Sequence, residues 1–358
     1  MKNVCFLIGN LNNSGGTERV TTLIANNLSK RGEYNVSILS LVDGLKPFFS
    51  LNSDILIYSL YKRKISFKKN LLGAIWRIRQ FVKVQNIDIL IVVDSISCIF
   101  TVPALYGLDV KHICWEHFNF KNNNGVVYRD WARKLAAKYC HYIVTLTKKD
   151  LSFWEKGIKG INAKLICIPN PTPYGISTHQ PSLSYKSIVS VGRLTRVKGY
   201  DLLLLAWKKV CDLDQEWKLY IVGSGEDEQN LRLLVQQLKI EHRVIFTGHT
   251  NNVNDFYKKS SFFCLSSRNE GLPMVLLEAQ SYGLPIAAFD CDTGPSEIVS
   301  HNINGYLVTC NDIDALSHIL FNMIKIDELS YIELSKNAKI SALKFDIDNI
   351  FDLWKNIL

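Results

Sequence analysis

No apolar run in this chain approaches the ~18–20 residues that span a bilayer, so a helical membrane anchor is not expected. The opening residues, MKNVCFLIGN, carry one lysine and a short apolar run that stops at Asn10. They lack the longer apolar core and small-residue cleavage site of a signal peptide, and read as a buried first strand. The nine cysteines are scattered, odd in number and contain no C-x-x-C. That excludes an evident disulfide framework or zinc motif and favours buried reduced thiols in a cytosolic protein. No internal repeat and no low-complexity tract occurs. G-x-G-x-x-G is missing as well. In VGSGED, after a strand-like run, the third glycine would fall at position 228, which is Glu. No acidic residue ends the second strand to hold a ribose, so a dehydrogenase is the weakest enzyme reading.

What is present is ordered alternation. At 358 residues the chain exceeds one typical core, and two domains are expected. NVCFLIG, NVSILSL, ILIYSL, IDILIVVD, HICWEH and HYIVTLT are short apolar runs separated by helical patterns, which predicts a parallel sheet covered on both faces. Periodicity lapses in IPNPTPYGISTHQPSLSYKS and restarts at SIVSVG. The expected division is residues 1–172, a linker at 173–186, and residues 187–344. An amphipathic helix within 345–358 could pack on either domain, including back onto the first. Two αβα units with independent starts are two Rossmann-like domains, and two such sheets facing each other would bring their loops to one cleft. From Met1 to Asn170, Lys and Arg outnumber Asp and Glu 24 to 11; beyond it they are outnumbered 22 to 18. The two halves therefore suit different partners.

The chemistry-bearing residues cluster where strands end. In RNEGLPMVLLEAQSYGLPI, Pro273 is a good first helical residue and Gly283 a good stop. Glu270 then precedes the helix and Glu278 sits on it, with the amides near Gly271 and Leu272 between them at the positive end. A diphosphate flanked by two sugars fits that layout; an ordinary solvated pair of glutamates is the alternative. In VGRLTRVKGYD, Arg193 and Lys198 bracket a strand-to-helix turn and could converge on one phosphate pair. Gly15 and Gly16 in GNLNNSGGTERV allow close backbone approach at a helix start. The alternative there is a plain loop in which Glu18 complements the helix dipole. Gly223 and Gly225 suit a tight turn. Glu116 and His117 end an N-domain strand, where His117 is either a satisfied core residue or a group facing a substrate hydroxyl. Asp290-Cys-Asp292 has the D-x-D spacing of metal-dependent sugar transferases. The spacing recurs at Asp312/Asp314 and Asp346/Asp348, so it reads as a loop backing the ligand, with no metal site. Residues 62–83 hold a basic run, with Ile65 and Phe67 interspersed. Leu71, Ile75, Ile78 and Val82 form a stripe, and Arg77, Arg79 and Lys83 lie elsewhere. This is a core-facing helix with a solvated basic edge, or a patch for anionic lipid. Nucleic acid is not expected.

In this order GGTERV, EHFNF, SVGRLTRVKG, VGSGED, FTGH, SSRNEGLPMVLLEAQSYGLPI, DTGPSEIV and NGYLV resemble the retaining glycosyltransferases of family 4 with the GT-B fold. The resemblance covers nearly the whole chain. It implies an acceptor-binding first domain and a second domain for the nucleotide sugar, most simply a UDP-sugar, with no metal or other cofactor. It implies that Glu270 holds donor-sugar hydroxyls, Glu278 the ribose, Arg193 and Lys198 the leaving diphosphate, and Gly15 and Gly16 the phosphates from the first domain. Gly248, Gly271, Leu272 and Pro273 complete the donor site, and His117 matches the family's active-site histidine. DTGPSE departs from the commoner Gly-Gly-x-Pro-Glu form, nearer to bacterial transferases that build lipopolysaccharide, capsule and related surface glycans. That resemblance implies a hexose or N-acetylhexosamine donor, a lipid-linked or glycan acceptor recognised partly by the loop 121–127, and a peripheral place at the inner membrane face. A sugar-nucleotide 2-epimerase-like isomerase and a non-catalytic nucleotide-sugar-binding subunit are the competing readings.

Overall fold

The computed structural model describes every residue except Phe67, Lys68, Asn124 and Asn251. Phe67 and Lys68 of the basic run, and Asn124 of the 121–127 loop, therefore lie outside the described residues. The chain divides into two compact units, Met1–Pro173 with Ile347–Leu358, and Tyr174–Asp346.

Strands of the first unit are β1 Lys2–Ile8, β2 Tyr34–Ser40, β3 Leu56–Ser59, β4 Ile89–Val93, β5 Lys111–Trp115, β6 Tyr142–Thr145 and β7 Lys164–Cys167. Its helices are α1 Gly16–Lys30, α2 Leu71–Val84, α3 Cys98–Leu105, α4 Arg129–Tyr139 and α5 Lys148–Gly157, with α13 Ile347–Lys355 returning from the end of the chain. The second unit holds β8 Ser187–Val191, β9 Lys218–Val222, β10 Val244–Gly248, β11 Phe262–Leu265, β12 Ile286–Asp290 and β13 Gly305–Thr309. Between and after them run α6 Tyr200–Leu213, α7 Glu228–Gln237, α8 Val253–Lys258, α9 Met274–Ser281, α10 Pro295–Ile298, α11 Ile313–Ile324 and α12 Glu328–Leu343.

Both sheets are parallel throughout, in the orders β3-β2-β1-β4-β5-β6-β7 and β10-β9-β8-β11-β12-β13. Their central strands are buried on both faces, which is why they read as unbroken apolar runs: Val4 to Leu7 and Phe262 to Cys264 have no exposed surface. Each unit has its own core, one around Trp154, Ile78 and Leu90, the other around Trp207, Leu203 and Phe262. These are two Rossmann-like domains.

The order of strands reverses between β1 and β4 in one sheet and between β8 and β11 in the other. Loops leaving the carboxyl ends of such neighbours splay apart, and this is where doubly wound sheets bind ligands. In the second unit those loops are the two that carry Arg193 with Lys198 and Glu270.

Candidate active site

Glycines lock the two loops together. Gly199 has φ +64, and a Cβ there would lie 2.0 Å from the carbonyl oxygen of Ser266, so only glycine lets the β8 loop touch the end of β11. Ser266 Oγ donates to the Lys198 carbonyl at 3.0 Å, and the Arg268 amide to that of Val197 at 2.8 Å. Gly223 and Gly225 support the same loop from β9. A Cβ on either would meet the carbonyl oxygens of Gly192 and Leu194 at 2.0 and 2.2 Å. They serve close approach more than the tight turn expected of them.

This clamp brings Lys198 and Glu270, 72 positions apart, into contact: Nζ donates to Oε1 at 2.6 Å. Ser267 Oγ donates to the same oxygen at 2.6 Å. The loop after β12 backs the carboxylate, since Thr293 Oγ1 donates to the Glu270 carbonyl. Gly294, at φ +99, lies so near Gly271 and Pro273 that a Cβ would meet the Gly271 oxygen at 2.8 Å. Arg193 takes a different position. Its guanidinium pairs with Glu226 at 3.1 Å on an exposed edge, so the two cations hold separate carboxylates and do not converge on one point.

Helix α9 starts one residue later than the sequence suggests. Pro273 is its N-cap, with extended ψ 105, and Met274 its first residue. The N-terminus has no side-chain cap, and while the Leu276 amide bonds the Pro273 carbonyl at 3.0 Å, those of Met274 and Val275 are available to a ligand beside Gly271 and Leu272. Gly283, at φ +79, ends the helix, its amide bonded to the Gln280 carbonyl. Glu278 lies on the buried side, 3 % exposed, and accepts from Tyr257 Oη at 2.7 Å. Sequence reasoning missed Tyr257, for a tyrosine inside YKKSSFF carries no signal of a carboxylate partner. Gly248 closes β10 at φ +73, with open space where a Cβ would stand.

In the first unit Gly15 and Gly16 stand at the start of α1, close to Glu18. Gly15 is the N-cap of α1, and a Cβ on it would lie 2.5 Å from Glu18 Oε2. Glu18 is buried, with Thr17 Oγ1 donating to it at 2.8 Å. A phosphate approaching Gly15 and Gly16 meets a carboxylate that already answers the helix dipole. His117 follows β5, its ring 4.5 Å from that of Trp115. Its Nε2 is buried with no hydrogen-bond partner among the described residues, a feature that functional sites tolerate more often than cores do. Glu116 is a structural hub. It accepts from the amides of His117 and Phe118 at 3.1 Å each, and Arg133 Nε lies 3.4 Å away.

Burial pushes the His117 imidazole down from 6.5 to about 3, so it is neutral near pH 7. The unfolded chain binds the proton first, so this stability is whole above pH about 6.5 and is lost as pH falls toward 3. His117→Gln is expected to be roughly 2–3 kcal/mol less acid-sensitive than the parent between pH 7 and 4.5, measured by denaturant midpoints. An unchanged acid limb would show His117 already solvated.

The basic segment is only partly a patch. Arg79 donates to the carbonyls of Ala104 and Tyr106 at 2.9 and 2.7 Å, and Arg77 stacks on Tyr61. Lys62, Arg63, Lys64 and Lys69 are exposed, as are Leu72 and Trp76 of α2. Among the described residues no helix is long and apolar enough to cross a membrane. Asp290 and Asp292 are exposed, and neither belongs to a cluster able to hold a metal among the described residues.

Comparison with known proteins agrees with this layout. Residues 14–173 match the family described as Glycosyltransferase Family 4, and residues 178–341 that described as Glycosyl transferases group 1. An uncharacterized glycosyltransferase of Haemophilus influenzae is 39% identical over 358 residues, covering 100% of both chains. A Campylobacter jejuni α-1,4-N-acetyl-D-galactosaminyltransferase, named for a diNAcBac-PP-undecaprenol-linked acceptor, is 28% identical over 100% of this chain and 98% of its own. Among solved structures, Anabaena HepE in complex with UDP and glucose superposes with a TM-score of 0.79 at 16% identity, over 98% of each chain. The chain belongs to the family 4 glycosyltransferases of the GT-B fold.

Proposed function

We propose that this glycosyltransferase moves a hexose or N-acetylhexosamine from a UDP-sugar to a hydroxyl of a lipid-linked oligosaccharide, lipopolysaccharide or capsule acceptor, with retention and without a metal. The carrying observation is the Lys198–Glu270 contact at 2.6 Å beside the uncapped start of α9. It sets an ammonium and a run of amides where a diphosphate would leave, and a carboxylate where sugar hydroxyls would lie. The charge that builds on the leaving group meets dipoles already in place, the usual largest source of rate. Glu270 orients the donor and is no covalent nucleophile in this reading. Glu278, held by Tyr257, receives the ribose hydroxyls in this reading. Arg193 joins the diphosphate by exchanging Glu226 for it, since an exposed pair of this kind is worth at most about 1 kcal/mol.

Support for the acceptor class comes from the Campylobacter relative, whose name specifies an undecaprenol-linked glycan; support for UDP comes from the ligand in the HepE complex. The exposed Lys62, Arg63, Lys64 and Lys69 beside Leu72 and Trp76 suit an anionic inner membrane face. Incubating the protein with UDP-hexoses and UDP-N-acetylhexosamines, with and without a lipid-linked acceptor, tests the reading. Transfer only with acceptor, giving an α-linkage from an α-donor, is expected. Conversion of the donor alone would make the protein an epimerase, and binding without turnover a non-catalytic subunit.

A further inference from the structure

Two of the nine cysteines draw together on one histidine once the chain folds. Cys98 opens α3, Cys140 caps the end of α4, and His112 and Cys114 stand two apart on β5, hence on one face of the sheet. We propose that Cys98, His112 and Cys140 form a binding site for a thiophilic divalent cation of the zinc class, within the first unit and independent of the sugar-transfer site.

Ligand atoms of Cys98, His112 and Cys140 all lie within 4.8 Å of one another, and all three residues are buried. His112 Nδ1 is 3.4 Å from Cys140 Sγ. With metal–sulfur bonds of about 2.3 Å and metal–nitrogen bonds of about 2.0 Å, a tetrahedral site separates sulfur from nitrogen by about 3.5 Å. The protein therefore offers three donors, one from α3, one from β5 and one from the end of α4.

The tautomer of His112 also fits. Thr101 Oγ1 donates to the Ser97 carbonyl at 3.2 Å and lies 3.0 Å from His112 Nε2. A hydroxyl whose proton is spent on a carbonyl accepts from Nε2–H, which leaves a bare Nδ1 lone pair toward the thiols. A ligating histidine held through its other nitrogen by an oxygen is the common arrangement around bound metals. His112 also lines a mainly apolar cavity of about 590 Å³ with His141, Trp131, Leu135 and Tyr139. The donors come from positions 98, 112 and 140 on separate elements, so no C-x-x-C betrays them. A bound ion would tie α3 and α4 to β5.

Loading the purified full-length protein with Co²⁺ is the test. A single equivalent is expected, with thiolate-to-cobalt charge-transfer absorption and the visible bands of a tetrahedral site. Cys98→Ser and Cys140→Ser should abolish these bands, and Cys264→Ser, in the second unit, should leave them intact. Thr101→Val keeps every ligand and is expected to weaken cobalt affinity roughly 10–100-fold. The unaltered protein decides the matter even where a variant fails to fold. If it shows no such bands and carries no zinc as isolated, the three side chains are core filling and the proposal falls. Bands that persist in a folded Cys98→Ser variant would overturn it equally.

Discussion

Lys198→Ala is expected to slow glycosyl transfer by roughly two to three orders of magnitude, the usual loss when one preorganised charge-stabilising donor is removed, while fold stability shifts by about 1 kcal/mol or less. The separation follows from where the ammonium sits. Its Nζ reaches Glu270 at 2.6 Å with 28 % of the side chain still exposed. The Glu270 side chain is only 9 % exposed, but its lysine end reaches water, so the pair adds little to folding, whereas a leaving diphosphate gains directly from the ammonium. Glu270 remains positioned in the variant, because Ser267 still donates to it. The fall should therefore appear in kcat more than in KM. Steady-state kinetics with urea melts on the same preparations check both halves. Full activity in a folded Lys198→Ala protein would remove the ammonium from the chemistry, and a large loss of stability would make the pair structural.

Deleting residues 347–358 is expected to unfold the first unit and spare the second. The segment buries Ile350, Phe351, Trp354, Ile357 and Leu358, each worth about 1.5–3 kcal/mol. That total rivals the 5–15 kcal/mol stability typical of native proteins. Trp354 packs edge-on against Trp115 at 4.9 Å, and Arg31 lies over Phe351 at 3.9 Å. Lys2 Nζ donates to the Leu358 carbonyl at 2.7 Å, and Lys111 Nζ to those of Ile357 and Leu358 at 3.0 and 3.1 Å. Because Trp115 also contacts the His117 ring, the deletion should disorder His117 with it. Calorimetry of the truncated chain should lose one transition and keep the other. Two unchanged transitions would show that α13 is dispensable. The milder Trp354→Ala should cost roughly 3–5 kcal/mol.

The parallel sheets were legible because burial on both faces leaves unbroken apolar runs such as FLI and ILIVV, and the restart at SIVSVG marked a second unit. Helix α9 was legible to within a residue, since Pro273 and Gly283 act locally on the backbone. What could not be read depends on contacts between distant segments. Nothing near EGLP says that Lys198 will meet Glu270, nor does FDIDNIFDLWKNIL say that Trp354 will seat on Trp115. An amphipathic stripe shows that a helix is covered, not by what. At Gly15 both readings were on hand, and nothing in GNLNNSGG says that the Glu18 carboxylate will lie against that glycine. Nine scattered cysteines look inert until β5 places His112 beside two of them.

The central claim is that the loops after β8 and β11, with α9, form a cradle for a nucleotide sugar. Calorimetric titration of the metal-free protein with a panel of UDP-, GDP- and ADP-sugars tests it most directly. Binding of one UDP-sugar, abolished by Glu278→Ala in a protein that still folds, is the predicted result. Failure of every nucleotide sugar to bind the folded protein would contradict the account.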